Sequence, residues 1–597
     1  MINKKNLLFY ILYSTFIIIV AGSILVLCNN DMNELLQAFF PAPNALAMDY
    51  IVKILFLLVF SIVLIIGVIA ILGIKPETSE HKKTGFLVAG IVFYFIAFLL
   101  LMVTLWSLTR FPMDQPEIVF FGLININGPV EEDVYPEVIR VSIFCTVLAL
   151  VLLASVIVYQ KKTKNTHFSI AKFKDKHISI NVVFFWFSLL LFVFALFDMW
   201  KTLDVSEYVK VISRFMSPAV DSKFYKEEYV VPDYNKIVFP EKKKNVIICL
   251  LESMESSFAD EASGGFMQSN LIPNITKIAN EHINFSDSDG LGGGVDVAGT
   301  SWTAAALCSK FAGLPFNIKK HKIGDKRIFL PGAITLTDIL AHNGYTQRFL
   351  IGSDKHFGSR DVFLETHGNV AVHDLNYFWD TGKLPPSYHV FWGFEDQKLY
   401  GFAKEELQEL GKGSEPFMFG FLTVDTHTPN GWQCEDCSDG ETKPLRNSIK
   451  CADRQLADFL AWCKEQDWYD DTVIVIMGDH LFMSSRQNNP FDDDYFVITK
   501  GNKNPCRWID IFINASINQT NSVMPVPQKN RVFSSLDMFP TILASMGCTI
   551  EGNRLGFGVN LFSGEKTLCE RFPENYLNDQ LMTRSSQYEK FETVEHQ

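Results

Sequence analysis

The distribution of apolar residues restricts this chain more than any other feature. Five nearly uncharged segments, residues 7–28, 50–74, 85–108, 139–159 and 180–199, each match the roughly 20 residues a helix needs to cross a hydrocarbon core. Lys53 lies near the end of one, where it can snorkel. The first follows Lys4 and Lys5 like a signal peptide, but its apolar run is too long for one and no small-residue cleavage site closes it. A retained helix is the expectation. A buried helical core is the alternative, and strings this long and uncharged are costly to explain that way.

The loops between the segments alternate in charge. Lys4 and Lys5, then Lys75, Lys82 and Lys83, then Lys161, Lys162, Lys164, Lys172, Lys174 and Lys176 mark one side. Asp31, Glu34 and Asp49, then Asp114, Glu117, Glu131, Glu132, Asp133 and Glu137 mark the other, with Arg110 the main exception. The positive-inside rule puts the N-terminus in the cytoplasm, and five crossings put everything after Met199 outside. The expectation is an all-α, five-helix transmembrane domain over residues 1–200 in the cytoplasmic (inner) membrane, and an α/β domain outside over 241–597. Residues 201–240 read as a juxtamembrane helix and linker, with Phe215, Tyr225 and Tyr229 placed for headgroup level or simply within a linker. The net charge of −13 argues against nucleic acid as a partner, because phosphate backbones call for a basic face.

In residues 241–597, strand and helix signals alternate. Val246–Leu251 and Thr472–Met477 are continuous apolar, β-branched runs, the mark of parallel strands buried on both faces. Each stops at a metal-type ligand, Glu252 in the first case and Asp479-His480 in the second. Ligands of open α/β sheets bind beyond the carboxyl ends of the strands. Further strands are expected at Thr346–Ile351 and Pro416–Val424, a helix opening at Pro273, and a late turn and helix at 536–543. Gly290 and Gly292 to Gly294 read as a flexible loop into Thr300, and Ala304 to Leu307 begin a helix whose N-terminus favours anions. Glu252, Asp479, His480 and the Thr300 hydroxyl make a shell for one divalent cation. Ser301 and Thr303 rival Thr300 as the nucleophile, and a helix-capping hydroxyl is the bland alternative for Thr300.

Nine of the eleven cysteines lie in this domain. Cys434-x2-Cys437 with Cys451 nearby reads as a disulfide staple in preference to half a zinc site, since no second pair at zinc-ribbon spacing follows.

Taken together, Leu251-Glu252-Ser253, Gly299-Thr300-Ser301-Trp302-Thr303, Ala312-Gly313-Leu314-Pro315, Ser359-Arg360-Asp361, Trp392-Gly393-Phe394-Glu395-Asp396, Asp425-Thr426-His427, Gly478-Asp479-His480 and Leu536-Asp537-Met538-Phe539-Pro540-Thr541 carry a resemblance. Residues 244–565 resemble the membrane-bound phosphoglycerol transferase and lipoteichoic acid synthase family of the alkaline phosphatase/sulfatase superfamily, and are most similar to its periplasmic branch that decorates osmoregulated glucans. The resemblance implies that Glu252, Thr300, Asp479 and His480 bind the metal, that Thr300 is the nucleophile, and that Arg360 and His427 contact a phosphoglycerol headgroup, with Trp392 as core or pocket wall. Where the synthase branch has an aromatic-Trp before Asn-Arg-Asp, this chain reads Phe357-Gly358-Ser359-Arg360.

The reaction this implies is attack by Thr300 on the phosphorus of phosphatidylglycerol, loss of diacylglycerol, and transfer of phosphoglycerol from threonine to a glycan hydroxyl. Mn2+ is the favoured cation, with Zn2+ and Mg2+ as alternatives. His427 is placed to act as acid or base, and Arg360 to stabilise charge on the phosphoryl oxygens. The near alternative is a phosphoethanolamine transferase acting on lipid A or another glycan. A sulfatase is disfavoured, since no Cys/Ser-x-Pro-x-Arg motif occurs at Thr300. A non-catalytic membrane sensor with the same fold is the reading from a different class.

Overall fold

The computed structural model describes residues 75–78, 84–110, 166–169, 177–317, 329–428, 431–437, 440, 443–483, 506–516 and 528–593. It divides into two units, one built from residues 1–119 and 130–210, the other mainly from 211–484 and 488–597.

In the first unit, strands β1 (Lys75–Thr78), β2 (Thr166–Ser169) and β3 (His177–Ser179) form one antiparallel sheet in that order. Helix α1 (Thr84–Arg110) follows β1, and α2 (Ile180–Thr202) continues directly from β3. These helices cover the third and fifth expected spans; the other three spans lie outside the described residues. Within α2, residues Phe184–Thr202 are long and apolar enough to cross a membrane. The two helices run side by side in the same direction: Phe86 and Phe93 meet Phe185, and Phe93 meets Phe192, with ring centroids 5.3 to 5.9 Å apart. Gly90 makes that approach possible, since a Cβ there would lie 2.8 Å from the Phe184 ring. The sheet joins the loop before α1 to the loop before α2, the two lysine-rich loops that charge alternation assigns to one side.

Helix α3 (Val205–Met216) leads out of this unit. The segment after it packs two of its tyrosines into the second unit. Tyr225 is 2% exposed and its hydroxyl donates to the Leu581 carbonyl at 2.7 Å. Tyr229 packs on Phe557 and Phe591. Burying an aromatic ring and pairing its hydroxyl outweighs an interfacial position, so these tyrosines belong to the core of the second unit.

The second unit is a three-layer α/β structure. Its sheet has the strand order β9-β8-β4-β7-β5-β6, with β4 (Asn245–Leu251), β5 (Thr346–Ile351), β6 (Ala371–His373), β7 (Phe417–Leu422), β8 (Thr472–Gly478) and β9 (Asp510–Ile513). All neighbours are parallel except the edge strand β9, which runs antiparallel to β8. Because β4 lies between β7 and β8, its side chains are buried on both faces, which is why its sequence does not alternate. On one face, Ile247, Cys249 and Leu251 join Ile275 of α4 (Pro273–Glu281), Leu399 and Leu407 of α7 (Asp396–Leu410), and Leu456 and Phe459 of α8 (Pro444–Lys464) in one apolar cluster. On the other, α5 (Thr303–Ala312) lays Phe311 against Phe349 of β5, and α6 (Arg360–Thr366) follows the loop after β5. The carboxyl ends of β4, β5, β7 and β8 therefore open onto one edge, and the expected site residues lie on the chain leaving them or at the start of α5, except Trp392, which lies on the loop before α7.

Candidate active site

Strand β4 ends in a sharp turn. Ser253 holds φ at +51°, a left-handed conformation that costs energy for a side-chain-bearing residue, and it turns Glu252 and Ser253 toward the end of β8. Three hydrogen bonds fix the turn. The Glu252 amide donates to Thr423 Oγ1 at 2.9 Å, the Ser253 amide to Asp479 Oδ1 at 2.8 Å, and Ser253 Oγ to Glu252 Oε1 at 2.6 Å. Asp479 Oδ1 also accepts from the His480 amide at 2.8 Å. Its other oxygen, Oδ2, is buried with no hydrogen-bond partner.

Glu252, Asp479 and His480 each bring one ligand atom to a common point, all within 4.8 Å of one another. His480 Nδ1 donates to the Leu481 carbonyl at 2.7 Å, which leaves Nε2 with its lone pair, 3.3 Å from Asp479 Oδ2 and 3.8 Å from Glu252 Oε1. Burial and the neighbouring Asp479 push the Glu252 carboxyl up to about 8. Burial alone would lower His480, but Asp479 and Glu252 outweigh it and the net shift is upward. Two buried carboxylates, an orphan oxygen and an imidazole lone pair at one point fit a divalent cation, whose charge would offset the repulsion between the carboxylates.

The hydroxyls of the loop divide in a way the sequence did not show. Thr300 is fully buried; its Oγ1 donates to the Val297 carbonyl at 2.8 Å and accepts from the Val297 amide at 3.1 Å. Thr303, the first residue of α5, is half-buried and brings Oγ1 to 3.5 Å from His480 Nε2. The N-cap, Trp302, makes no side-chain cap bond, so the first-turn amides of α5 keep their capacity to bind an anion.

The glycines before Thr300 serve close packing, not flexibility. Gly294 and Trp508 exchange two main-chain hydrogen bonds at 3.1 Å, and a Cβ on Gly293 would lie 1.8 Å from the Trp508 carbonyl oxygen. The loop is held further by Val295 N to Phe533 O at 2.8 Å, Ala298 N to Asn578 Oδ1 at 2.8 Å, and Leu481 N to Asp296 Oδ2 at 3.2 Å.

Sequence reasoning gave no role to Asp296 or Lys310. Lys310 is fully buried on α5, its Nζ 3.6 Å from the centre of the Trp508 ring and without a hydrogen-bond partner. Burial pushes it down to about 8, against the pull of Asp296, Asp479 and Asp510. It is a buried amine facing these acids. A lysine at one helical position among alanines carries no sign of this, because Asp479, Trp508 and Asp510 lie far along the chain.

Arg360 opens α6 and is buried. Its Nε donates to the Phe357 carbonyl at 3.0 Å, and Nη2 to Ser353 Oγ at 2.9 Å and the Asp354 carbonyl at 2.7 Å. Burial lowers it to about 10, while Asp354 and Glu252 hold it charged. His427, after β7, donates from Nδ1 to the Thr428 carbonyl at 2.8 Å, and burial pushes it down to about 4, so its ring is neutral with Nε2 unprotonated. Its ring lies 4.8 Å from Trp392, which continues through Phe391 to Trp432 as a half-buried aromatic wall. Phe391 takes φ +52° to join it.

Parts of this chain are similar to known proteins. Phosphoglycerol transferase I from Xanthomonas campestris pv. campestris (strain B100) is 32% identical over 264 residues, 42% of this chain and 36% of that protein. The match thus spans about a third of the length of the curated relative. Among solved structures, the lipoteichoic acid synthase LtaP from Listeria monocytogenes is 21% identical over 58% of this chain and 82% of that one, with a TM-score of 0.40. The lipooligosaccharide phosphoethanolamine transferase A (EptA) from Neisseria meningitidis is 13% identical over 73% and 74%, with a TM-score of 0.39. The sulfatase family model matches residues 244–548, half of the chain and all of the central sheet, and the chain belongs to the sulfatase family.

Proposed function

We propose that this protein is a membrane-bound transferase that moves phosphoglycerol from phosphatidylglycerol to a hydroxyl of a cell-envelope glycan through a phospho-threonine intermediate. The observation that carries the reading is the Thr303 hydroxyl at the start of α5, 3.5 Å from His480 Nε2 and beside the Glu252, Asp479 and His480 donors. The sequence favours Thr300 as the nucleophile with Ser301 and Thr303 as rivals; we take Thr303, whose hydroxyl faces His480, while the Thr300 hydroxyl donates to the Val297 carbonyl and accepts from the Val297 amide. Thr300 then holds the loop.

In the first step Thr303 Oγ gives up its proton and bonds to phosphorus, the bond from phosphorus to the diacylglycerol oxygen breaks, and that oxygen takes up a proton. In the second an acceptor hydroxyl loses its proton, its oxygen bonds to phosphorus, the bond to Thr303 breaks, and Thr303 Oγ takes a proton back. The first-turn amides of α5 and the charged Arg360 hold the non-bridging oxygens. His427, neutral with Nε2 unprotonated, is suited to take the acceptor's proton. Trp392 and its neighbours form a wall for the headgroup. Glu252, Asp479 and His480 would hold a divalent cation, with Mn2+ preferred, which would supply Lewis acidity when bound. The catalytic unit works outside the cytoplasmic membrane, and the spans keep it near its lipid donor.

A phosphoethanolamine donor is the second reading, and the aromatic wall favours it, since such rings also suit an ammonium group. Intact mass of the full-length protein in detergent, incubated with each lipid and Mn2+, tests both. A phosphoglyceryl adduct on Thr303 is expected. An ethanolamine adduct alone would replace the donor, and no adduct together with no diacylglycerol release would refute the transferase.

A further inference from the structure

Away from the catalytic acids, three cysteine sulfurs converge. Cys434 Sγ lies 3.4 Å from Cys437 Sγ and 3.6 Å from Cys451 Sγ, and all three lie within 4.8 Å of one another. Cys434 and Cys437 sit on the loop that leaves His427, and a turn closed by Cys437 N to Cys434 O at 3.0 Å puts both on one side. Cys451 comes from α8. One turn further along α8, Gln455 Nε2 reaches Cys434 Sγ at 3.4 Å and Cys451 Sγ at 3.5 Å. Cys437 and Cys451 are buried and Cys434 is half-buried.

We propose that Cys434, Cys437 and Cys451 form a binding site for a thiophilic divalent cation of the Zn2+ class, separate from the catalytic one. The spacing is the first argument. Zinc–sulfur bonds of about 2.3 Å in a tetrahedral shell separate sulfurs by about 3.8 Å, close to what three side chains from two elements show here. A disulfide needs sulfurs about 2.05 Å apart and joins only two, leaving the third thiol pressed against the bond. Gln455 is the second argument, because an amide donating to two sulfurs is how metal thiolates are stabilised from outside the shell. Its amide oxygen, exchangeable with nitrogen by a half-turn of the side chain, is also a candidate for the fourth position. Among the described residues no histidine or carboxylate joins the three sulfurs.

Binding exchanges thiol protons for the cation: Zn2+ and three R–SH give Zn(SR)3− and three H+. The thiols are buried or half-buried, and a soft cation displaces their protons best. The two centres then select different metals, oxygen and nitrogen donors in one, sulfur alone in the other. This site ties the loop bearing His427 and Trp432 to α8, where Ser448 Oγ already donates to the Trp432 carbonyl at 2.6 Å.

The test uses full-length protein in detergent, purified without chelator, then stripped under reductant and refilled with Co2+. Sulfur-to-cobalt charge-transfer absorption is expected at one equivalent, equal in wild type and Glu252→Gln, and reduced at least tenfold in Cys451→Ser and Cys434→Ser. Zn2+ should displace the colour and shield these three cysteines from alkylation. The half-buried Cys434 carries the test if Cys451→Ser does not fold. Three results overturn the proposal: no charge-transfer band in reduced protein, a band unchanged in Cys434→Ser, or protein as purified lacking two hydrogens with Cys451 in a disulfide-linked peptide.

Discussion

Thr300→Ala and Thr303→Ala change the same atoms three residues apart, and the structure predicts opposite consequences. Thr300 Oγ1 makes two main-chain hydrogen bonds in a fully buried position. Removing it leaves the Val297 amide and carbonyl without that partner, at about 1–3 kcal/mol. For a domain of this size that lowers the melting temperature by a few degrees, at roughly 2 °C per kcal/mol. Thr303 is half-buried and its hydroxyl makes one long contact of 3.5 Å, so its loss costs under about 0.5 kcal/mol. Activity should divide the other way. Without the attacking oxygen no covalent intermediate forms, and the rate should fall by about 10⁴-fold or more. Thr300→Ala should keep the adduct and a rate within about tenfold of wild type, a shift of no more than about 1.4 kcal/mol in the barrier. Differential scanning fluorimetry, diacylglycerol release and intact mass on the same two variants read both halves. An adduct that persists in Thr303→Ala and vanishes in a folded Thr300→Ala would refute the reasoning.

Other perturbations test the surroundings. Chelation should lower the thermal stability of the protein, and Mn2+ at a hundred times its Kd should restore about 2.7 kcal/mol, an effect lost in Glu252→Gln when melting is followed against Mn2+ concentration. Arg360→Lys cannot donate to Phe357, Ser353 and Asp354 from a fixed fork, and kcat/KM should fall by about 10–100-fold in a lipid turnover assay. Asp425 is pushed up to about 10 by burial and by Asp396, so the native state holds a proton that the unfolded chain releases near 3.8. Wild-type stability should therefore decline as pH rises from 5 to 9, and Asp425→Asn, which keeps the acceptor for the Asp396 amide, should flatten that decline and be about 1–3 kcal/mol more stable at pH 8 in denaturant titrations. Gly293→Ala drives a Cβ into the Trp508 carbonyl and should cost about 1–3 kcal/mol, visible as faster proteolysis of the loop.

Much of the sheet was legible. Thr346–Ile351 is a strand over the expected residues, and Val246–Leu251 and Thr472–Met477 each differ by one residue, because an uninterrupted apolar run has few other places to go than the middle of a parallel sheet. The gathering of Glu252, Asp479 and His480 followed from their places at strand ends. The surroundings of the Thr300 and Thr303 hydroxyls did not, since both follow glycines and lie at the start of a helix, and nothing local shows that Val297 pairs with Thr300. The glycines were misread because a run of small residues looks the same whether it serves motion or the close passage of Trp508. Lys310 and Asp296 escaped notice because the charges they share, His480, Asp479 and Asp510, lie far along the chain and leave no local pattern.

The loop bearing Thr300 and Thr303 is fastened by Leu481, Trp508, Phe533 and Asn578, all on chain made long after it. A ribosome must therefore reach residue 578 and beyond before every clasp can close. While the chain is still growing, the central sheet can assemble around a loop that has not yet taken its shape. Late fastening makes this loop one of the last parts of the unit to set.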